Sequence, residues 1–420
     1  MNGQLIAVMA GLIFCYALTA RALSAAGITS PMLSIAAGLV FFATGSVDID
    51  AEFVHGLAEI TLVIILFHDA STVRLNQLRR DPGIALRLLV IGFPLAMLVT
   101  FLVSRAMFPA LGAAGAWLLA AAITPTDAGL GAPTVLNPVV PLRVRRGLNV
   151  ESGLNDGLAT PIVLMALSVL AEREDAPIPG LLGIGVTSVL LALGCSIVLA
   201  GLAAWLMDRS RARDLNGVRG RQIATLMLPA LLFGVAELIG ANAFIAAFVG
   251  GLVFGAASGT LAEDHATAGL LEISADLLGF FVWFLFGGLL LRVFEVGIRW
   301  QWVVIAVLAL TLLRVIPVTL AMIGTGFDWR TIAFLGWFGP RGLATIVFGL
   351  LALEELGRDS PFIADLDGVL SMTVLISVFA HGFTAGPMSQ TYGQWVERMG
   401  APISLEPSVE PRSSRGRTGH

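Results

Sequence analysis

Lysine is missing from the sequence, and all 25 of its basic residues are arginine. Because arginine does not lose its proton in proteins, a mechanism that needs a Schiff base or a titrating lysine is excluded. Charge is scarce in general, since only 13% of the 420 residues are charged, against about 25% in soluble domains. A soluble enzyme is therefore excluded as well.

Cysteine is also rare, and its positions argue against a disulfide framework or a zinc site. The two cysteines, Cys15 and Cys195, both fall within apolar stretches, where neither a bridge nor a cluster of metal ligands is expected. The formal net charge is −4, and this acidic balance argues against nucleic acid as a partner. No cofactor is expected.

Long apolar runs dominate what the sequence does contain. Hydrophobic residues make up 57% of the chain and the mean hydropathy is +0.88. Stretches of about 20 apolar residues, the length that a bilayer requires, recur throughout. The first has no basic residue before it and no cleavage site, so we expect a membrane span rather than a signal peptide. About thirteen candidate spans begin near Gln4, Pro31, His55, Ile84, Gly112, Leu148, Leu181, Arg221, Ala243, Glu272, Trp300, Thr331 and Leu366.

The spans are expected to be helices of an all-α membrane protein, because an open sheet leaves backbone groups unsatisfied in lipid and no alternating barrel pattern occurs. Most arginines fall in loops that share one side if the N-terminus lies outside, and basic loops remain in the cytoplasm. We therefore expect a multi-pass protein of the cell membrane with a cytoplasmic C-terminus. Residues 401–420 are expected to be a disordered cytoplasmic tail.

The spans also repeat along the chain. A shift of about 213 positions carries the starts of the first six spans close to those of the last six, and the seventh has no counterpart. Because one extra span intervenes, the second half is inverted relative to the first. Inverted repeats of this kind are typical of secondary transporters with a site near the midplane of the membrane.

Two spans are interrupted at corresponding places. The fifth contains Thr124, Pro125, Thr126 and Asp127, and the twelfth is broken around Gly339-Pro340-Arg341. Proline removes a backbone donor, so each break releases carbonyl groups within the membrane. A simple kink is the alternative interpretation of either break alone, but two matched discontinuous helices indicate an ion site.

The sixth span opens with an unusual density of polar residues. Ser152 and Asp156 share one stripe of the predicted helix, and Glu151 and Asn155 share the adjacent one. A buried carboxylate must be neutralised, paired or placed on an ion. Arg314 in the eleventh span needs a partner, and Glu151 is the economical choice. Asp156 then remains to alternate between a proton and a cation.

Four further polar residues are assigned supporting or peripheral roles. Arg341 is expected to cap released carbonyl groups rather than to touch the substrate. His68 and Asp69 could line an access funnel, although a solvated helix end is the favoured interpretation. His381 is expected to be a packed, hydrogen-bonded histidine without a transport role.

The chain resembles the monovalent cation/proton antiporter family, in the sodium/proton exchanger branch that includes the bacterial NhaP proteins. The likeness spans nearly the whole length and departs from the usual pattern at Ala128 and at His68-Asp69. It is carried by Thr126-Asp127, the stretch Glu151-Ser152-Gly153-Leu154-Asn155-Asp156-Gly157, Gly339-Pro340-Arg341-Gly342, and His381-Gly382-Phe383-Thr384.

The resemblance implies an architecture and an assembly. It implies two crossed discontinuous helices, a mobile core of about residues 84–171 and 300–391, and a dimerisation scaffold of about residues 1–70 and 181–293. It also implies a homodimer.

The resemblance further implies roles for single residues. Asp156 is the carboxylate for cation and proton, with Asn155 beside it. Thr126 and Asp127 are ligands from the unwound segment, Ser152 is a hydroxyl ligand, and Glu151 with Arg314 forms a buried ion pair. Na⁺ is accordingly expected at Asp156, Asp127, Thr126 and Ser152.

The expected function is a secondary antiporter that exchanges a monovalent cation for H⁺ without net charge movement, through an elevator-like motion of the core. Na⁺ is the expected cation, with Li⁺ and K⁺ as alternatives. One rival is a sodium-coupled symporter of organic solutes built on the same repeat. The other is an intramembrane aspartyl protease, for which Asp127 and Asp156 are the available aspartates.

Overall fold

The structure, a computed structural model, describes residues 3–45, 51–73, 83–171, 178–357, 360 and 362–399. Within these ranges every regular element is helical. The α-helices in chain order are α1 (Gly3–Ala25), α2 (Ser30–Ala43), α3 (Ala51–Thr72), α4 (Gly83–Arg87), α5 (Phe93–Met107), α6 (Gly112–Ile123), α7 (Ala128–Val135), α8 (Leu142–Ala171), α9 (Ile178–Ala212), α10 (Val218–Leu238), α11 (Ala243–Ala257), α12 (Gly259–Glu263), α13 (Gly269–Val296), α14 (Trp300–Leu310), α15 (Leu312–Ala321), α16 (Trp329–Trp337), α17 (Leu343–Leu356) and α18 (Ile363–Met399). The predicted tail, residues 401–420, lies outside the described residues.

The helices confirm the predicted all-α membrane class. Among the described residues, nine helical stretches are long and apolar enough to cross a membrane, and α2 and α11 are shorter apolar helices. A π turn at Leu88–Gly92 joins α4 to α5 within one such stretch. The exact number of spans and the inverted repeat stay predictions.

Two spans differ from expectation. The helix α8 begins at Leu142, six residues before the expected start at Leu148, because a helix can extend beyond the apolar run into a basic segment. The eleventh span is divided at Thr311, whose φ of −120° and ψ of −97° are not helical. Neither glycine nor proline stands at residues 310–312, so the sequence carries no signal of this break.

Glycines let two pairs of helices, α2 with α13 and α3 with α11, approach one another closely. A Cβ atom at Gly38 of α2 would lie 2.0 Å from the carbonyl oxygen of Phe284 in α13. A Cβ atom at Gly251 of α11 would lie 2.4 Å from the carbonyl oxygen of Phe67 in α3. Small residues at helix interfaces are the usual means of association in lipid, where van der Waals packing provides the attraction. These two glycines therefore fix the separation of the helices that flank the site.

The middle of α8 is fully enclosed by other helices. Every residue from Glu151 to Gly157 is buried, although the stretch contains two carboxylates, a serine and an asparagine. The helices α3, α6, α7, α11 and α17 pack around α8. The fold therefore gathers polar side chains where no water is in reach of most of them, and each requires a partner or an ion.

The close approach of α2 and α13 generates a first prediction. Replacing Gly38 with alanine forces the two backbones apart and should lower the free energy of unfolding by about 1–3 kcal/mol. Thermal unfolding of the purified protein in detergent measures the change. The matched control is Gly11→Ala, because a Cβ atom at Gly11 meets nothing within 4 Å. Equal melting temperatures for the two variants would contradict the packing described.

Candidate functional site

Two interrupted helices meet at their breaks. The first interruption separates α6, which ends at Ile123, from α7, which begins at Ala128. The second separates α16 from α17. The backbone N–H of Asp127 donates to the carbonyl oxygen of Pro340 at 2.7 Å. The breaks in the fifth and twelfth spans are thus in direct contact, and the point where they meet is called the crossing.

Asp127 caps the N-termini of two half-helices, α7 and α17. Its Oδ1 accepts a hydrogen bond from the N–H of Leu130 in α7 at 2.8 Å, and its Oδ2 accepts one from the N–H of Leu343 in α17, also at 2.8 Å. Free N–H groups and the helix dipole make each N-terminus favourable for an anion. A Cβ atom at Gly342 would lie 2.3 Å from Oδ2, so a glycine is required there. One carboxylate therefore serves two helix ends.

Arg341 has the opposite task at the same crossing. Its guanidinium is 1% exposed. Nε donates to the carbonyl oxygen of Ile123 at 2.8 Å, Nη2 donates to that of Ala309 at 3.1 Å, and Nη1 donates to that of Gly339. Ile123 ends α6, and Ala309 precedes the irregular Thr311. The cation is placed where helix ends leave carbonyl groups without intrahelical partners.

Glu151 and Arg314 lie face to face within the core. Arg314 Nη2 donates to Glu151 Oε2 at 2.7 Å, and Nη1 donates to Oε1, so the pair is bidentate. Both side chains are almost fully buried. Nη2 also lies 3.5 Å from the carbonyl oxygen of Leu335, near the end of α16. The structure thus joins the two residues that charge matching had suggested as partners.

A chain of three polar side chains links the first break to α8. Asn155 Nδ2 donates to Thr126 Oγ1 at 2.8 Å, and Thr126 Oγ1 lies 2.8 Å from Ser152 Oγ. All three residues are buried. In the described part of the chain, Asn155 Oδ1 has no hydrogen-bond partner although it is buried. A buried acceptor without a donor is costly, so this oxygen is suited to a cation or a water molecule.

Asp156 follows this cluster directly on α8. It is 4% exposed and lies one turn from Ser152, as the helical stripe predicts. Glu151 points to Arg314 on another side of the helix. The two carboxylates of α8 therefore face different sides of the helix, and Asp156 is the one that shares its stripe with Ser152.

A cleft of about 510 Å³ leads to the crossing from one end of the molecule. Its walls come from the turn between α1 and α2, the first third of α13, and α7. Asp127 and Leu343 lie at its inner end, and Ser24, Thr29 and Asn137 lie along its walls. Asp156 does not belong to the described lining. The arginine distribution predicts that this end faces the cytoplasm.

The expectation of a solvated end at His68 and Asp69 is wrong. The two side chains are 2% and 3% exposed, and His68 Nδ1 lies 3.1 Å from Asp69 Oδ1. The last turn of α3 does not project into solvent, because α8 and α11 pack against it. At Gly153 of α8, a Cβ atom would lie 3.3 Å from the carbonyl oxygen of Asp69.

Several supporting contacts were not expected from the sequence. Thr345 Oγ1 donates to the carbonyl oxygen of Ala122, and Ser377 Oγ accepts from the N–H of Arg341. His381 is packed and hydrogen-bonded, as expected, with Nε2 2.9 Å from the carbonyl oxygen of Trp337. Of these three residues, only His381 stands out in the sequence. The threonine and serine have no distinguishing pattern.

The buried ion pair generates a second prediction. Glu151→Gln and Arg314→Met each leave one buried charge without its partner, so each should lower stability by roughly 3–5 kcal/mol. The double variant should recover part of this loss. Thermal unfolding in detergent measures all three proteins. Single variants that melt like the unchanged protein would show that the pair contributes nothing.

Known proteins share both sequence and fold with this chain. The pattern of the transmembrane sodium/hydrogen exchanger family matches residues 8–391. A Na(+)/H(+) antiporter of Schizosaccharomyces pombe is 24% identical over 315 residues, which cover 68% of this chain and 67% of that protein. Na(+)/H(+) antiporter 2 of Zygosaccharomyces rouxii is 24% identical, covering 77% and 47%. The antiporter NhaH of Halobacillus dabanensis is 27% identical, covering 60% and 62%.

The chain thus spans about two thirds or less of the length of these relatives. Its fold is similar to that of the sodium proton antiporter MjNhaP1 from Methanocaldococcus jannaschii, with a TM-score of 0.71 at 20% identity, over 91% of this chain and 97% of that one. The crossed half-helices and the buried polar cluster accompany a family match over nearly the whole sequence. The chain belongs to the sodium/hydrogen exchanger family.

Proposed function

We propose that the chain is a secondary antiporter of the cell membrane that exchanges a monovalent cation, Na⁺, for H⁺. Li⁺ and K⁺ are the alternative cations. The observation that carries the proposal is the buried oxygen cluster at Thr126, Ser152 and Asn155, in which Asn155 Oδ1 has no hydrogen-bond partner among the described residues, with the buried Asp156 one helical turn from Ser152. Family membership and the names of the relatives support the same activity.

The residues divide into ligands and supports. Asp156 takes either the cation or the proton, with Thr126, Ser152, Asn155 and Asp127 as oxygen donors around it. Hard oxygen ligands suit alkali cations, and a carboxylate must lose its proton before it binds a metal ion. Competition for one carboxylate then couples the two fluxes. Glu151, Arg314 and Arg341 hold the frame and do not carry the cation.

Alternating access is proposed to arise from movement of the core against the scaffold. The cleft lies at this boundary, since Ser24 and Asp276 come from scaffold helices and Asn137 follows the core half-helix α7. An elevator motion of the core then carries the site from one membrane face to the other. No cofactor takes part in this cycle.

A homodimer joined through the scaffold completes the proposal. The apolar spans of α1 and α9 are only 11% and 22% buried within the chain. They therefore have surface left for lipid and a second subunit.

The rival functions find less support. An aspartyl protease needs two facing aspartates that share a proton, whereas both oxygens of Asp127 accept backbone N–H groups. A solute symporter of related fold has no specific contact in its favour, and the named relatives are antiporters.

Asp156 provides the direct test. Asp156→Asn should abolish Na⁺-dependent proton movement while leaving the protein folded, because the amide is nearly isosteric but neither takes up a proton nor neutralises a cation. Everted vesicles from cells without their own antiporters, loaded with a ΔpH-sensitive dye, measure the exchange. Asp214→Asn, at an exposed loop position, is the matched control and should keep full activity. Exchange above background in the Asp156 variant contradicts the central role of this residue.

The charge balance of the site predicts electroneutral exchange. Asn155 is neutral, Glu151 is held by Arg314, and Asp127 is held by two helix N-termini, which leaves one proton on Asp156 for each cation. A transported charge would add about 2.3 kcal/mol per 100 mV of membrane potential. Na⁺ uptake into proteoliposomes should therefore be the same with and without a clamped potential. A rate that follows the potential would show that a second proton is carried.

A further inference from the structure

Asp367 is a buried acid that the proposed exchange does not use. It lies one turn after the start of α18 and is 5% exposed. Within the described residues its Oδ1 has no hydrogen-bond partner, and the same is true of Ser371 Oγ, four positions further on. Residues four apart in a helix lie on one face. The carboxylate and the hydroxyl therefore form one buried polar patch without visible partners for these atoms.

Few charges surround this patch. The helices α2, α6, α7 and α14, all packed against α18, contain no ionisable residue. Arg292 of α13 is the electrostatic neighbour of Asp367, but in the part of the chain that the structure describes no ion pair or hydrogen bond joins the two. Glu354 and Glu355 end α17, and Arg330 of α16 lies against Trp395 at the far end of α18.

The patch lies at the end of the molecule opposite the cleft. The cleft is lined by Ala275, Asp276 and Gly279, near the start of α13, whereas Arg292 is one turn before the end of that helix. At 1.5 Å per residue, Asp276 and Arg292 are about 24 Å apart along the axis. On the expected orientation, Asp367 is close to the outer surface and remote from the inner opening.

The position of the patch also corresponds to the ion site in the other half of the chain. The half-helix α17 begins 215 positions after α7, at Leu343 against Ala128. The same shift carries Ser152 and Asp156 onto Asp367 and Ser371, so a serine and an aspartate one turn apart occur on both helices, in opposite order. Gly153 is likewise carried onto Gly368.

We propose that Asp367 and Ser371 form a second proton-binding site, reached from the side opposite the cleft, that controls which way the transporter faces. A proton needs no shell of ligands, which suits a closed patch with one carboxylate and one hydroxyl. In the arrangement described, with the cleft open, an ionised Asp367 has no ion pair and no hydrogen bond to Oδ1 among the described residues, which disfavours the charged form. The neutral acid fits this arrangement, and the ionised form fits one in which Asp367 meets water or Arg292.

The linkage gives the direction of the effect. Because the cleft-open state holds the proton and the alternative state releases it, raising the pH shifts the population away from the cleft-open state. One proton changes the equilibrium by at most about tenfold per pH unit. This inference rests on the proposed function, because facing direction matters only for a transporter, but its test needs no transport.

The test measures how open the cleft is. The two native cysteines, Cys15 and Cys195, are replaced by serine, and Ala132→Cys places a thiol in the cleft wall. Asp156→Asn in the same protein removes titration at the ion site. The rate of reaction with a water-soluble maleimide is then measured in detergent against pH, with and without Asp367→Asn. The ratio of the two rates cancels the titration of the thiol itself.

We expect the maleimide reaction rate of the protein with Asp367, divided by that of the Asp367→Asn protein, to fall as pH rises, by up to about tenfold per pH unit. Asp367→Glu should restore the pH dependence, since it restores a proton site. Asp365→Asn is the matched control, because Asp365 lies on the same helix but pairs with Arg299 at 2.7 Å. This variant should retain the decrease of the rate ratio with rising pH.

A ratio that is constant with pH, a glutamate variant that behaves like the asparagine variant, or a control that loses the fall would each overturn the proposal. Failure of the proposed exchange activity itself has a separate signature. If the exchange activity fails, the protein without substitutions moves no protons on addition of Na⁺, whatever the ratio of the maleimide reaction rates.

Discussion

The structure depends on two helix breaks, far apart in sequence, that each place a charged side chain against helix ends of the other. The carboxylate of Asp127, from the first break, accepts hydrogen bonds at the N-termini of α7 and α17. The guanidinium of Arg341, from the second break, donates to a carbonyl oxygen at the end of α6. Each break supplies the counter-charge for helix ends of the other. In lipid no water is present to do this, so neither interruption is tenable without its partner.

The packing around the crossing follows from this requirement. Gly342 must lack a side chain so that Asp127 can approach α17, and Gly339 must lack one because Arg314 Nε would lie 2.7 Å from its Cβ. Arg314 is itself neutralised by Glu151, which fixes the rotation of α8. With Glu151 turned to the pair, the adjacent stripe of α8 carries Ser152 and Asp156. The proposed ion-binding face is thus oriented by residues to which no ion binding is assigned.

Much of the fold could be predicted because bilayer thickness fixes the length of an apolar run, and the predicted starts at Gly112, Ala243 and Trp300 coincide with helix starts. The pairing of Glu151 with Arg314 followed from the cost of an isolated buried charge. The break at Thr311 could not be foreseen, because neither glycine nor proline stands beside it, and the hydrogen bond from Arg341 to the carbonyl oxygen of Ala309 joins residues far apart in sequence. The burial of His68 and Asp69 likewise depends on which helices enclose α3, and the order of residues in the sequence does not show which helices become neighbours.

The four buried charges of the crossing have a consequence for motion in an electric field. Asp127 and Arg341 compensate one another in sign, as do Glu151 and Arg314, and all four are bound into the same group of half-helices. When this group moves relative to the membrane, the fixed part contributes no net gating charge. Around the crossing, the voltage then acts on whatever Asp156 carries at that moment. In the proposed motion, these four residues add no net charge of their own, so chemical gradients can drive the exchange over a wide range of membrane potentials.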